Sequence, residues 1–225
     1  MRCWGKIIVM ILLNILILSH SVFALEEKTV DGKIIHDSSH SKIMSIFIED
    51  VVSLLPLEMA QFLEPNIETM SKEAEFKVRD DYWKRKVIGK NEFKVRLESI
   101  LIKDGAELAS QLGGSVKHIF EIALHPNNSD ASGEGRRKNL RDLPKSWKNG
   151  IFEVKYHGYQ GQSVDVILTS LYEMKGRNKT TLYPDLVVTT ADLWSAVWQN
   201  GGGKTQQVTK TFVRKPADLD YRKRR

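Results

Sequence analysis

The chain has 225 residues, a net charge of +6 and a single cysteine, Cys3. That length suffices for one apolar core, so a single domain without an internal disulfide is expected. The basic excess sits in Arg2, Lys6 and the stretch from Lys204 onward, with a slightly acidic body between, which weighs against a nucleic-acid-binding surface on the fold.

In chain order, residues 1–24 read as an export signal. Arg2 and Lys6 precede the apolar run from Ile7 to Leu18, and Val22-Phe23-Ala24 resembles a cleavage site. The run is short for a membrane span, so an exported chain starting at Leu25 is expected, with an uncleaved anchor as the alternative. Residues 25–39 read as a polar N-terminal arm containing His36. Ile43, Ile46, Phe47, Val51, Leu54 and Leu55 recur at helical spacing up to Pro56. A short helix is expected from Leu57 to Leu63, with a break at Glu64-Pro65-Asn66. A charged helix is expected over 67–88, with the doubled carboxylate Asp80-Asp81 inside it. Gly89-Lys90-Asn91 reads as the next break, and Glu92 to Leu112 as a further helix.

Gly113-Gly114 either ends that helix or lets two helices approach closely. In the following stretch Val116, Ile119, Phe120, Ala123 and Leu124 form an apolar face. His118, Glu121 and His125 form a second stripe, three and four residues apart. Such side chains are plausible zinc ligands. The two histidines lie two turns apart, about 10 Å of rise, too far to share one ion on a straight helix. The alternative is a surface stripe. Asn127 to Asn149 reads as a long polar loop, functional or disordered. Its Arg136 and Arg137 are candidates to meet a substrate phosphate, or belong to a solvated segment.

Gly150 to Tyr159 shows alternation at Phe152, Val154 and Tyr156, but is expected to be loop running into helix. Helices are expected around Val164 to Tyr172 and from Leu182 to Gln199. In the last one, Thr189, Thr190 and Asp192 interrupt an apolar surface. Residues 204–225 read as a basic disordered tail. The expected fold is all-α: a helical domain over 40–203.

The order of these elements resembles the secreted zinc-dependent phospholipase C fold, shared by single-strand-specific nucleases. Four segments carry the resemblance: His40 before a helix that ends Leu-Leu-Pro-Leu-Glu, the stretch Leu112 to Asn128, Tyr156 to Asp165, and Thr190-Ala-Asp-Leu-Trp-Ser-Ala-Val-Trp. The resemblance covers residues 36–200. It implies clustered zinc ions that bind phosphate oxygens and activate a water. It implies metal ligands at His40, Asp80, His118, His125 and His157. Glu121 would be a ligand or the base for a metal-bound water, and Asp80 or Asp81 a bridging carboxylate.

The chain departs from the family pattern at several ligand positions. Ile122 stands where the family has aspartate after His118, Asn128 where it has a histidine, and Gln160 where it has a glutamate. Isoleucine cannot bind zinc, and neutral amides are poor ligands. A one-residue shift on a helix turns a side chain by about 100°, so Glu121 does not simply replace Ile122. Fewer than three zinc ions are therefore expected. Two functions follow: a metal-dependent hydrolase of phospholipid or another phosphodiester, or a catalytically silent relative that binds a lipid headgroup, an envelope component or a protein. Peripheral membrane contact fits either. The motifs of serine hydrolases and nucleotide-binding loops are absent.

Overall fold

The computed structural model describes residues 38–79, 89–124, 147, 150–174, 182–205 and 209–215. The proposed signal, most of the N-terminal arm, Asp80, His125, Arg136 and Arg137 lie outside these residues, as does most of the 127–149 loop. The expected all-α class is correct. Helices dominate, and the described residues add one two-stranded ribbon. No described helix is long and apolar enough to cross a membrane.

Helix α1, Ser38–Leu54, buries Ile43, Ile46, Phe47, Val51 and Leu54 of the stripe that the sequence spacing marks, and Met44 and Ile48 besides. Pro56 separates it from α2, Leu57–Leu63, which anchors through Met59 and Leu63. A 3₁₀ turn, Glu64–Asn66, leads into α3, Ile67–Arg79. Helix α4, Lys90–Glu98, buries only Phe93 and Leu97. Helix α5 runs unbroken from Gly105 to Leu124.

The break before α5 therefore falls at 99–104, earlier than Gly113-Gly114. Its cause is local: the Asp104 carboxylate accepts a 2.7 Å hydrogen bond from the Glu107 amide and caps the new helix. The glycine pair does the other job that the sequence allows. A Cβ on Gly113 would stand 2.6 Å from the Met70 carbonyl oxygen, so only glycine lets α3 lie this close to α5.

Two further elements differ from expectation. Phe152–Tyr156 is a strand, β1, and Lys210–Arg214, inside the expected tail, is its antiparallel partner β2. Their register sets Phe152 opposite Arg214, Val154 opposite Phe212 and Tyr156 opposite Lys210. The alternation in 152–156 was a true strand signal. What it lacked locally was a partner, which comes from more than fifty residues downstream. Between the strands come α6, Val164–Glu173, and α7, Leu182–Asn200. Helix α7 is buried almost all round, from Leu182 to Trp198, and contacts α1, α4, α5, α6 and β1.

Polar contacts hold the ribbon to the helices. Lys210 Nζ donates to the carbonyls of Ser53 at 2.6 Å and Leu55 at 3.1 Å, so a cation sits at the carbonyl end of α1. Arg214 embraces the Asp50 carboxylate with Nε and Nη2, and the Tyr183 hydroxyl donates to the same group at 2.7 Å. Asp50 is only 2% exposed. Trp194 Nε1 donates to Ser115 Oγ at 3.2 Å and stitches α7 to α5.

Replacing Gly113 with alanine forces a methyl into backbone rather than into a yielding side chain. Gly113→Ala should lower the unfolding free energy by about 2 kcal/mol in urea titration. An unchanged urea midpoint would mean that α3 and α5 are not this close.

Candidate functional site

A concavity with chemistry on its walls lies between α4 and α5. Helix α4 is held by its outer face: Lys90 donates to Thr169 and lies 3.6 Å from Asp165, and Lys94 lies 3.9 Å from the same carboxylate. Its inner face turns Phe93 and Leu97 towards α5. Ser99 then ends the helix, its hydroxyl donating to the Arg96 carbonyl at 2.9 Å. Ile100 follows as the chain crosses to α5.

The cleft so formed has a volume of about 390 Å³. Its floor is apolar, made by Phe93, Leu97 and Ile100. Gly114 lines it without a side chain, so the α5 backbone itself forms part of the wall. Polar groups stand around this floor: Arg96, Gln111, Ser115 and His118. Gln111 is oriented by its Nε2, which donates to Glu107 Oε1 at 3.2 Å. Its Oε1 is sealed from solvent, with no donor among the described residues.

His118, the residue on which the zinc expectation centred, belongs to this cleft. Its side chain is 18% exposed, and its ring centroid lies 5.2 Å from that of Phe93. Nδ1 stands 3.6 Å from Glu121 Oε2, one turn further on. Glu121 is 17% exposed, so the pair is sheltered rather than an open surface stripe. The opposite apolar face is as expected, with Val116, Ile119, Phe120 and Ala123 buried.

The other expected ligands are not brought together among the described residues. His40 lies in the first turn of α1, and its side chain is outside the described set. His157 is exposed, and its backbone carbonyl accepts from Gln160 Nε2 at 3.1 Å. Gln160 also donates to the Gly158 carbonyl at 2.8 Å and so pins the loop after β1. Gly158 and Gly161 have φ of 82° and 77°, backbone that favours glycine. No three His, Cys, Asp or Glu side chains gather as a metal-binding group among the described residues.

One polar cluster escaped the sequence reading. Tyr156, at the end of β1, donates to Asp192 Oδ1 at 3.0 Å. Burial pushes the Asp192 carboxyl up to about 6, and the hydrogen bond from Tyr156 opposes that shift. Burial, and then the Asp192 charge, push the Tyr156 and Tyr159 phenols above their ordinary range. Ser195 Oγ is fully buried beside Tyr156, close enough to offset part of its shift, but makes no hydrogen bond of good geometry among the described residues. The sequence did carry a sign of this: Asp192 interrupts the apolar surface of α7.

No protein-family model, curated protein or solved structure matches the chain.

Phe93 is the wall that the cleft shares with the core, at 3% exposure. Phe93→Ala should cost about 3 kcal/mol of stability, read from the urea midpoint. A loss below about 1 kcal/mol would mean that α4 does not pack on α5 through this ring.

Proposed function

We propose that the protein is an exported, catalytically silent binding protein that holds a small amphiphile in the α4–α5 cleft. The observation that carries this reading is the make-up of the cleft. An apolar floor of Phe93, Leu97 and Ile100 is bordered by Arg96, Gln111 and His118. Small-molecule sites are commonly concave and largely apolar, with a few polar groups that fix orientation. An alkyl or ring body would lie across Gly114 and remove apolar surface from water, and a polar head would meet the side chains of the rim. A lipid or a lipid headgroup fits this description.

A second reading, zinc-dependent phosphodiester hydrolysis, is favoured by the His118–Glu121 pair. The fit of the metal to the residues is only partial. One imidazole and one carboxylate 3.6 Å apart supply two donors, and a catalytic zinc site uses three protein ligands with an open fourth position.

Both readings are tested on the same purified protein. Dodecanoate and a lysophosphatidylcholine, each below its micelle concentration, should stabilise the protein saturably, by about 2.7 kcal/mol at a hundredfold excess over Kd. Gly114→Leu, which fills the cleft, should remove that stabilisation. Equal stabilisation of both proteins would place the ligand elsewhere, and no stabilisation by either lipid would reject the binding reading. Two or more tightly held zinc ions, lost on chelation together with diesterase activity, would establish the hydrolase instead.

A further inference from the structure

The Asp192 cluster lies apart from the cleft and joins two elements that are distant in sequence. Tyr156 is 3% exposed and ends the strand that packs on α7. Asp192 and Ser195 lie one turn apart on α7 and share a face. The hydroxyl of Tyr156 reaches Asp192, and directly opposite Tyr156 in the ribbon stands Lys210, the residue that grips the end of α1. A change in the charge of Asp192 therefore acts where the ribbon meets α7.

The groups around Asp192 do not neutralise it. From β1 it meets Tyr156, and its charge raises Tyr159 in the loop after β1, whose hydroxyl donates to the Gln162 carbonyl. Asp165 of α6 faces Lys90 and Lys94 of α4. Tyr172 and Glu173 are the other titratable groups of α6, and burial pushes the Tyr172 phenol above its ordinary range. Asp50 of α1 faces Tyr183 and Arg214, and Glu49 acts on Tyr183. His118 and Glu121 of α5 face each other, and buried Lys117 has a partner. Among the described residues no cation approaches the carboxyl. Its ionised form has one phenolic donor and is otherwise poorly solvated, which favours the protonated form in the closed structure.

We propose that Asp192 and Tyr156, with Ser195 beside them, form an acid-tightened tie that holds the β1–β2 ribbon on α7 and loosens as the pH rises towards neutrality. The sign follows from the two states of the carboxyl. Exposed by opening, it titrates near the ordinary 3.8; closed, it is held up to about 6. Below the lower value it is protonated in both states. Between the two, only the closed state keeps the proton, so each rise in pH favours opening. Above the upper value both states are ionised and the effect levels off.

The test is hydrogen exchange on the full chain at pH 4, 5, 6 and 7, corrected for intrinsic rates and referred to core amides of α5. Protection of the β1 and β2 amides should fall about tenfold or more between pH 4 and 6 and change little above. Asp192→Asn should abolish that slope. Tyr156→Phe removes the donor that favours the carboxylate, so it should move the midpoint to higher pH. It also serves as the deciding variant where Asp192→Asn fails to fold. A wild-type profile without the slope overturns the proposal, as does a slope that survives in Asp192→Asn or a Tyr156→Phe midpoint that stays put or falls.

Discussion

The buried carboxylate of Asp50 is the constraint around which the described structure closes. It lies inside α1, only 2% exposed, where an unpaired charge would not be tolerated. Two segments from the far part of the chain meet it. Tyr183, at the start of α7, donates a hydroxyl at 2.7 Å, and Arg214, at the end of β2, clasps it with two nitrogens. Such a pair adds little stability beyond what apolar side chains would supply, but breaking it leaves a stranded charge. Its effect is therefore specificity: α1, α7 and β2 must come together in one arrangement.

The apolar packing agrees with that arrangement. Tyr183 sits among aromatic rings from three other regions, with centroids 6.0 Å from Phe47, 5.2 Å from Trp147 and 5.0 Å from Phe152. Phe47 in turn packs at a tilt against Phe120 of α5, with centroids 4.7 Å apart. One residue thus links the cluster of rings to the ion pair. Burial pushes its phenol well above the ordinary range, with the charge of Glu49 adding to the shift, so it remains a donor at physiological pH. The same scaffold fixes α5, and α5 carries His118 and Gly114 to the cleft. Trp194, reaching from α7 to Ser115 beside that cleft, is a direct physical link between core and site.

What could be read from residues alone was whatever local periodicity encodes. The apolar stripe of α1 and the short helix Leu57–Leu63, bounded by Pro56 and a 3₁₀ turn, lay where spacing put them. The apolar face around Phe120 was equally legible. What failed was pairing at long range. Lys210 and Arg214 look like tail charges until Asp50 and the end of α1 are beside them, and Phe212 alternates with them in only five residues. The strand 152–156 had the right alternation, but its partner strand lies across two intervening helices. The site divides the same way. His118 and Glu121 were visible as one stripe, whereas Phe93, which makes His118 part of a cleft, belongs to another helix. Asp192 showed only as a break in an apolar pattern, because its partner Tyr156 was read as loop.

If Asp50 fixes how α1, α7 and the ribbon meet, its coupling to Arg214 must be large. A double-mutant cycle of Asp50→Ala and Arg214→Ala, read by urea denaturation, measures it directly. The expected result is that the double variant is less destabilised than the sum of the singles, with a coupling of about 2 kcal/mol or more. A coupling below about 0.5 kcal/mol would contradict the account, because the two side chains would then be acting independently.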